Sequence, residues 1–260
     1  MTTATPLPPL AQYHDLASKT VFISGGATGI GETMVRSFAA QGSRTAFVDI
    51  DVAAGEALVG ELTALGQQVR FIACDITNTP AYQAAIQQVA SDWGGIQVLV
   101  NSAANDVRHS LESVTPERFD QLMSVNLRHA LFAAQTVTPM MQAAGGGSII
   151  NFGSIGWMMS SPGYPVYSAA KAAMHGLTRG LARDLGKHRI RVNTLVPGWV
   201  MTEKQLRLWV DDAAKQQIAT SQCLPDPIQP QYIANMALFL ASDVSALCTA
   251  QNFIVDGGWV

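Results

Sequence analysis

The sequence predicts an α/β chain organised on one doubly wound parallel sheet, and three observations predict it. Short β-branched runs recur along the chain, apolar residues at helical spacing fill the segments between them, and a glycine-rich turn separates the first run from the first helical stretch. Strand–helix alternation repeated this often calls for right-handed crossovers with helices on both faces. A single-domain Rossmann-type sheet of about seven strands is the economical topology.

Each element follows in order. The strands are expected at TVFIS (20–24), TAFVD (45–49), VRFIAC (69–74), VLVN (98–101), SIINF (148–152), RVNTLV (191–196) and NFIVD (252–256). Between them, Met34, Val35 and Phe38, and then Ala85, Ile86 and Val89, mark the buried stripes of two helices. Pro165 and the alanine-rich run behind it start and continue another. Residues 199–229 break the rhythm with two tryptophans, a cysteine and two prolines; they are expected to form a lid at the carboxyl edge of the sheet, where ligands bind. Residues 1–15 read as a loose N-terminal arm without a signal-peptide pattern, and residues 16–260 as one catalytic domain.

Bulk properties narrow the function. A chain of 260 residues, 48% hydrophobic, suits one large core. A net charge of -3 without a basic cluster argues against nucleic acid or an anionic membrane as partner. No apolar run reaches membrane-spanning length. Cys74, Cys223 and Cys248 are too scattered for a disulfide framework or a zinc site, and they read as reduced thiols of a cytoplasmic protein. No His/Cys/Asp spacing calls for a metal.

The chemistry begins at SGGATGIGE (24–32). Gly25, Gly29 and Gly31 allow a tight turn that brings a helix N-terminus to a pyrophosphate. Asp49 ends the second strand about 20 residues past that turn, where an acid accepts hydrogen bonds from ribose hydroxyls and repels a 2′-phosphate. Ile50 follows it and Thr28 precedes Gly29, so no cation awaits that phosphate, and NAD is expected over NADP. Asp51 is the expected cap of the next helix. Asp75 either meets the adenine or caps a turn. Further on, Tyr167 and Lys171 stand four apart where a helix starts, which places a phenol and an ammonium on one face. A nearby cation lowers a phenol from its free value near ~10, making it a base at a more neutral pH.

SGGATGIG, YSAAK, Asn126 in SVNLRH, Ser154 in NFGSIGW and PGWVMT (197–202) together resemble the short-chain dehydrogenases/reductases, in the family's order and from about residue 16 onward. The resemblance implies a catalytic tetrad of Asn126, Ser154, Tyr167 and Lys171. It implies cofactor contacts at Gly25, Thr28, Gly29, Ile30, Gly31, Asp49, Asp75, Ile76, Asn101, Tyr167, Lys171, Pro197, Gly198, Val200 and Thr202. In its terms Ser154 donates to the developing alkoxide, and Asn126 kinks its helix around a relay water. One departure stands out: the family's Asn-Asn-Ala-Gly is NSAAN here, so Ala104 is expected to narrow the space beside the cofactor ribose. VDGGWV (255–260) resembles the tail that contacts neighbours in a homotetramer.

The substrate is read from what surrounds these motifs. NDVRHSL (105–111) gathers Asn105, Asp106, Arg108 and His109 at the carboxyl edge, donors and acceptors that suit a polyhydroxylated small molecule. Trp157, Tyr164 and Trp199, with Ser154 and Tyr167, are the expected remainder of the substrate site; the aromatic faces can pack on a sugar ring. NDVRHSL, VNLRHALF, INFGSIGW and SQCL resemble the aldose 1-dehydrogenases, which implies oxidation of an anomeric hydroxyl to an aldonolactone. A 3-oxoacyl-carrier-protein reductase would want NADPH and a basic surface, and neither signal is present. A non-catalytic NAD-sensing regulator has no use for an intact tetrad, and steady turnover of an aldose excludes it.

Overall fold

The computed structural model describes residues 10–260. Seven parallel strands form one sheet in the order β3-β2-β1-β4-β5-β6-β7. They are β1 (Thr20–Ser24), β2 (Arg44–Asp49), β3 (Val69–Ala73), β4 (Val98–Asn101), β5 (Gly147–Phe152), β6 (Ile190–Pro197) and β7 (Asn252–Val255). Each lies within a residue of its predicted span. β1 pairs with β2 on one side and β4 on the other, so the winding reverses there and opens a crevice at the strands' carboxyl ends.

Helices cover both faces. On one, α1 (Gly29–Ala40) packs against α9 (Pro230–Ala241), with α2 (Val52–Ala64) beside them. Met34, Val35 and Phe38 meet Ile233, Ala237 and Leu238 in that core. On the other face, α3 (Thr79–Trp93) packs against α5 (His129–Ala143), with α6 (Pro165–Leu185) on β6. Tyr82, Ile86 and Val89 meet Ala133, Val137 and Met141 there. Full burial of each large apolar side chain contributes about 1.5–3 kcal/mol, so truncating fully buried Phe38 to Ala costs about 3–5 kcal/mol.

The helix ends follow local chemistry. Asp51 accepts from the Ala54 N–H and caps α2, and Asn78 accepts from the Ala81 N–H and caps α3. Gly94, at φ 78°, stops α3 in the left-handed conformation. Thr115 caps the short α4 (Pro116–Met123). Between α4 and α5, Ser124–Arg128 form a π-helical turn in which the His129 N–H reaches back to the Ser124 carbonyl.

The predicted lid contains α7 (Glu203–Leu208) and α8 (Asp212–Ser221), hung between β6 and a bridge joining Val200 to Ile228. The expected loose arm needs correction where it is described. Residues 10–15 are docked: the Tyr13 N–H donates to Gln41 Oε1 at 2.8 Å, Gln41 Nε2 donates to the Ala11 carbonyl, and Asp15 pairs with Lys19 and Ser242. Residues 1–9 lie outside the described residues. Among the described residues no helix is long and apolar enough to cross a membrane, and no group of three or more His, Cys, Asp or Glu could hold a metal.

Candidate active site

The carboxyl ends of β1, β2, β4, β5 and β6 open into one cleft of about 1150 Å³. Its floor at the β1 end is the glycine turn. A Cβ on Gly31 would lie 1.7 Å from the Gly25 carbonyl oxygen, and one on Gly25 would lie 2.8 Å from the Ala103 Cα. Gly25 and Gly29 also take φ of 72° and 60°, so this turn tolerates no side chain at those points. Thr28 sits at the N-cap of α1, and Thr28, Ile30 and Gly31 line the wall.

Asp49 anchors the next part. Its Oδ2 accepts from the Ala27 N–H at 3.0 Å, and its Oδ1 accepts from the Ile50 and Asp51 N–H groups at 2.8 and 3.1 Å. The carboxylate therefore stitches the glycine turn to the end of β2 while lining the cleft. Asp75 takes the turn-capping alternative, its Oδ1 accepting from the Thr77 N–H and hydroxyl, and it too lines the cleft beside Ile76. Asn101 behaves differently. It is buried, its amide donates to Asn151 Oδ1 at 2.8 Å, and Ser102, Ala103 and Ala104 make the wall in its place. Ala103 presses on the glycine turn, and Ala104 lines the cleft beside it. On the opposite rim, Pro197 ends β6 and Gly198, Val200 and Thr202 follow it, where a Cβ on Gly198 would strike the Asp256 Cα at 2.7 Å.

Three of the four expected tetrad residues, Ser154, Tyr167 and Lys171, line the cleft between these walls. Ser154 follows β5, and its Oγ accepts from the Gly156 N–H at 3.0 Å. Tyr167 and Lys171 sit on the first turns of α6, with the Lys171 ammonium 5.7 Å from the phenol ring centroid. Lys171 is fully buried and donates to the Phe152 carbonyl at 2.9 Å. Asn126, in the π turn, is buried and doubly tied to the loop after β4. Its Oδ1 accepts from the Asn105 N–H, and its Nδ2 donates to the Asn105 and Leu122 carbonyls.

The electrostatics correct one expectation. Burial pushes the Tyr167 phenol above its ordinary value, with Asp106 and Tyr164 adding to the rise; the nearby Ser154 hydroxyl and Arg108 pull against it. Burial also pulls the Lys171 ammonium down to about 8, opposed by Asp106. Proximity to the amine does not by itself make the phenol acidic here. Packing disfavours the phenolate by more than the surrounding charges favour it, and the ammonium hydrogen-bonds a main-chain carbonyl.

The expected substrate residues divide. Asp106, Arg108, Tyr164 and Trp199 line the cleft. The Arg108 guanidinium lies over the Tyr164 ring at 4.0 Å and the Trp209 ring at 5.2 Å, and Tyr164 meets Tyr167 edge to face at 5.3 Å. Asn105 turns its side chain into its own loop, accepting from the Val107 N–H. Trp157 stands edge-on to His175 at 5.0 Å, outside the cleft wall, and Met159 lines it instead. His109 braces the loop against α6, where its Nε2 accepts from the Val166 N–H. Sequence reasoning passed over Lys204 and Gln205, whose only signal was their place in the irregular segment after β6.

Comparison with known proteins agrees with this geometry. A family model described as Enoyl-(Acyl carrier protein) reductase matches residues 25–260. The chain is 45% identical over 251 residues to the "Probable galactose dehydrogenase GalD" of Rhizobium meliloti (strain 1021), covering 96% of this chain and 98% of that one. It is 42% identical over 249 residues to the D-xylose 1-dehydrogenase of Caulobacter vibrioides (strain NA1000 / CB15N), with the same coverage of each. A solved 7 alpha-hydroxysteroid dehydrogenase complexed with NADH and 7-oxo glycochenodeoxycholic acid superposes with a TM-score of 0.88 at 30% identity, over 92% of this chain and 93% of that one. With the sheet order, the glycine turn and the Ser154–Tyr167–Lys171 constellation, these matches place the chain in one family: it belongs to the short-chain dehydrogenases/reductases.

Proposed function

We propose that the protein is an NAD-dependent aldose 1-dehydrogenase, oxidising the anomeric hydroxyl of a pentose or hexose to the aldonolactone. One observation carries the reading. The Ser154–Tyr167–Lys171 constellation opens onto a polar substrate end, lined by Asp106, Arg108, Lys204 and Gln205, in a chain similar along nearly its whole length to a D-xylose 1-dehydrogenase and a galactose dehydrogenase.

The glycine turn fits a dinucleotide because a Cβ at Gly31 would fill it, and the cleft exceeds the ~300–1,000 Å³ usual for one small ligand. Gly25, Thr28, Gly29, Ile30 and Gly31 would cradle the pyrophosphate, and Asp49 would accept from the adenosine ribose hydroxyls. Lys171 would hold the nicotinamide ribose, with Pro197, Val200 and Thr202 along the opposite rim. A nicotinamide held there supplies the hydride acceptor and, when oxidised, a positive charge of the sign that the raised phenol calls for. NAD is favoured over NADP because Asp49 repels a 2′-phosphate and Ile50 and Thr28 offer it no cation.

The chain's own residues do the proton work. Tyr167 takes the hydroxyl proton as the C1–H bond gives up its electron pair. Ser154 holds the same oxygen and steadies its growing charge. Lys171 favours the phenolate that Tyr167 must become, and Asn126 fixes the loop that carries Asp106 and Arg108. The test is an absorbance screen for NAD reduction across aldoses and simple secondary alcohols. Turnover of galactose- or xylose-type sugars well above simple alcohols is expected; efficient turnover of the alcohols without the sugars would overturn the reading.

A further inference from the structure

The two rims of the substrate end come from stretches a hundred residues apart, the loop after β4 and the segment after β6. Two neighbouring side chains, Lys204 and Gln205, tie them at Asp106, and the Gln205 amide also reaches Trp199. Gln205 Nε2 donates to Asp106 Oδ2 at 2.9 Å, and Gln205 Oε1 accepts from the Trp199 indole N–H at 3.1 Å. Lys204 takes the other carboxylate oxygen of Asp106 at 2.6 Å. The partners fix the amide's orientation: reversed, it would set an NH2 group against an indole N–H and a carbonyl against a carboxylate. Asp106 and Trp199 both line the cleft, so the amide decides where an acceptor and an aromatic face stand relative to Tyr167.

We infer that Gln205 is a positioning residue for the substrate, a clasp that holds Asp106 and Trp199 in register across the cleft. The inference rests on the aldose reading only for the identity of the substrate. The clasp sets ground-state fit, because neither partner exchanges a proton or hydride with the substrate. Its loss therefore appears in KM more than in kcat.

The experiment compares Gln205→Met, Gln205→Glu and the double variant Gln205→Glu/Asp106→Asn, using the best alcohol substrate the screen returns. Gln205→Met removes both hydrogen bonds at similar size and is expected to raise KM roughly tenfold, with kcat and NADH affinity within about threefold. Gln205→Glu keeps an acceptor for Trp199 but opposes two carboxylates, and its KM is expected to rise further. The double variant exchanges donor and acceptor and should bring KM back below that of Gln205→Glu. Near-UV circular dichroism gives a readout independent of substrate. Gln205→Met should alter the tryptophan band, and that alteration should vanish in a Trp199→Phe background. An unchanged KM and tryptophan band in Gln205→Met would overturn the clasp, as would a double variant no better than Gln205→Glu. A screen returning alcohols rather than sugars would sink the aldose reading while leaving the clasp to stand or fall on these comparisons.

Discussion

The two ends of the cleft are built from different materials. The dinucleotide end is mostly main chain: a turn that admits no Cβ at Gly25 or Gly31, the ends of β1 and β2, and one carboxylate, Asp49, bonded to three N–H groups within reach of that turn. The substrate end is mostly side chain: Asp106, Arg108, Tyr164, Trp199, Lys204 and Gln205, drawn from the loop after β4, the start of α6 and the lid. Main-chain walls are fixed by local sequence, whereas side-chain walls depend on which distant loops meet. The two ends thus rest on different kinds of wall, joined where Val200 and Thr202 of the lid segment border the dinucleotide end.

That contrast can be broken or sharpened by substitution. The largest effect is expected where the two ends meet. Tyr167→Phe should lower kcat by roughly 10²- to 10⁴-fold. Its NADH affinity, read by fluorescence titration, should stay within a few-fold, and substantial residual turnover would point to another base. Next, Asp49→Ala should weaken NAD by roughly 10- to 100-fold and narrow its advantage over NADP, as measured by the ratio of kcat/KM for the two cofactors. An unchanged ratio would place the ribose contact elsewhere.

Lys171 offers a test through pH. Its ammonium titrates near 8 in the folded protein and near 10.5 in a model peptide, so between these values the unfolded chain binds more protons and stability rises with pH. Thermal melts of wild type and Lys171→Met should shift in favour of wild type as pH climbs from 8 to 10.5. A constant difference would mean that the amine is not held in a proton-releasing environment. The smallest effect separates two neighbours in one loop. Arg108→Ala should raise the sugar KM about tenfold, while Asn105→Ala, whose side chain only braces Val107, should change it less than about threefold. Equal effects would return Asn105 to the substrate wall.

Legibility follows the same division. Strand spans, the Asp51 cap and the lid's place were readable because each is written in short-range patterning or chain order. The side-chain geometry was not. Trp157 has the composition of a sugar-facing residue, but a helix-borne ring, His175, holds it away from the cleft. The Gln205–Asp106 hydrogen bond spans 99 positions, and nothing periodic announces it. The state of Tyr167 was misjudged for a related reason. The spacing of Tyr167 and Lys171 is local, but the burial that raises one and lowers the other is the work of the whole fold.

The widened turn at Ser124–Arg128 has a consequence for how the chain can vary. An extra residue in one coil of a helix rotates everything after it by roughly a quarter turn relative to everything before it. Here that offset lets Asn126 clamp the Asn105 loop while Ala133, Val137 and Met141 still pack into the core on the sheet. Removing any single residue from these five would regularise the coil but leave one of those alignments out of phase. Length at this point is constrained independently of residue type, and a shortened chain with otherwise conservative chemistry would lose either its loop or its core.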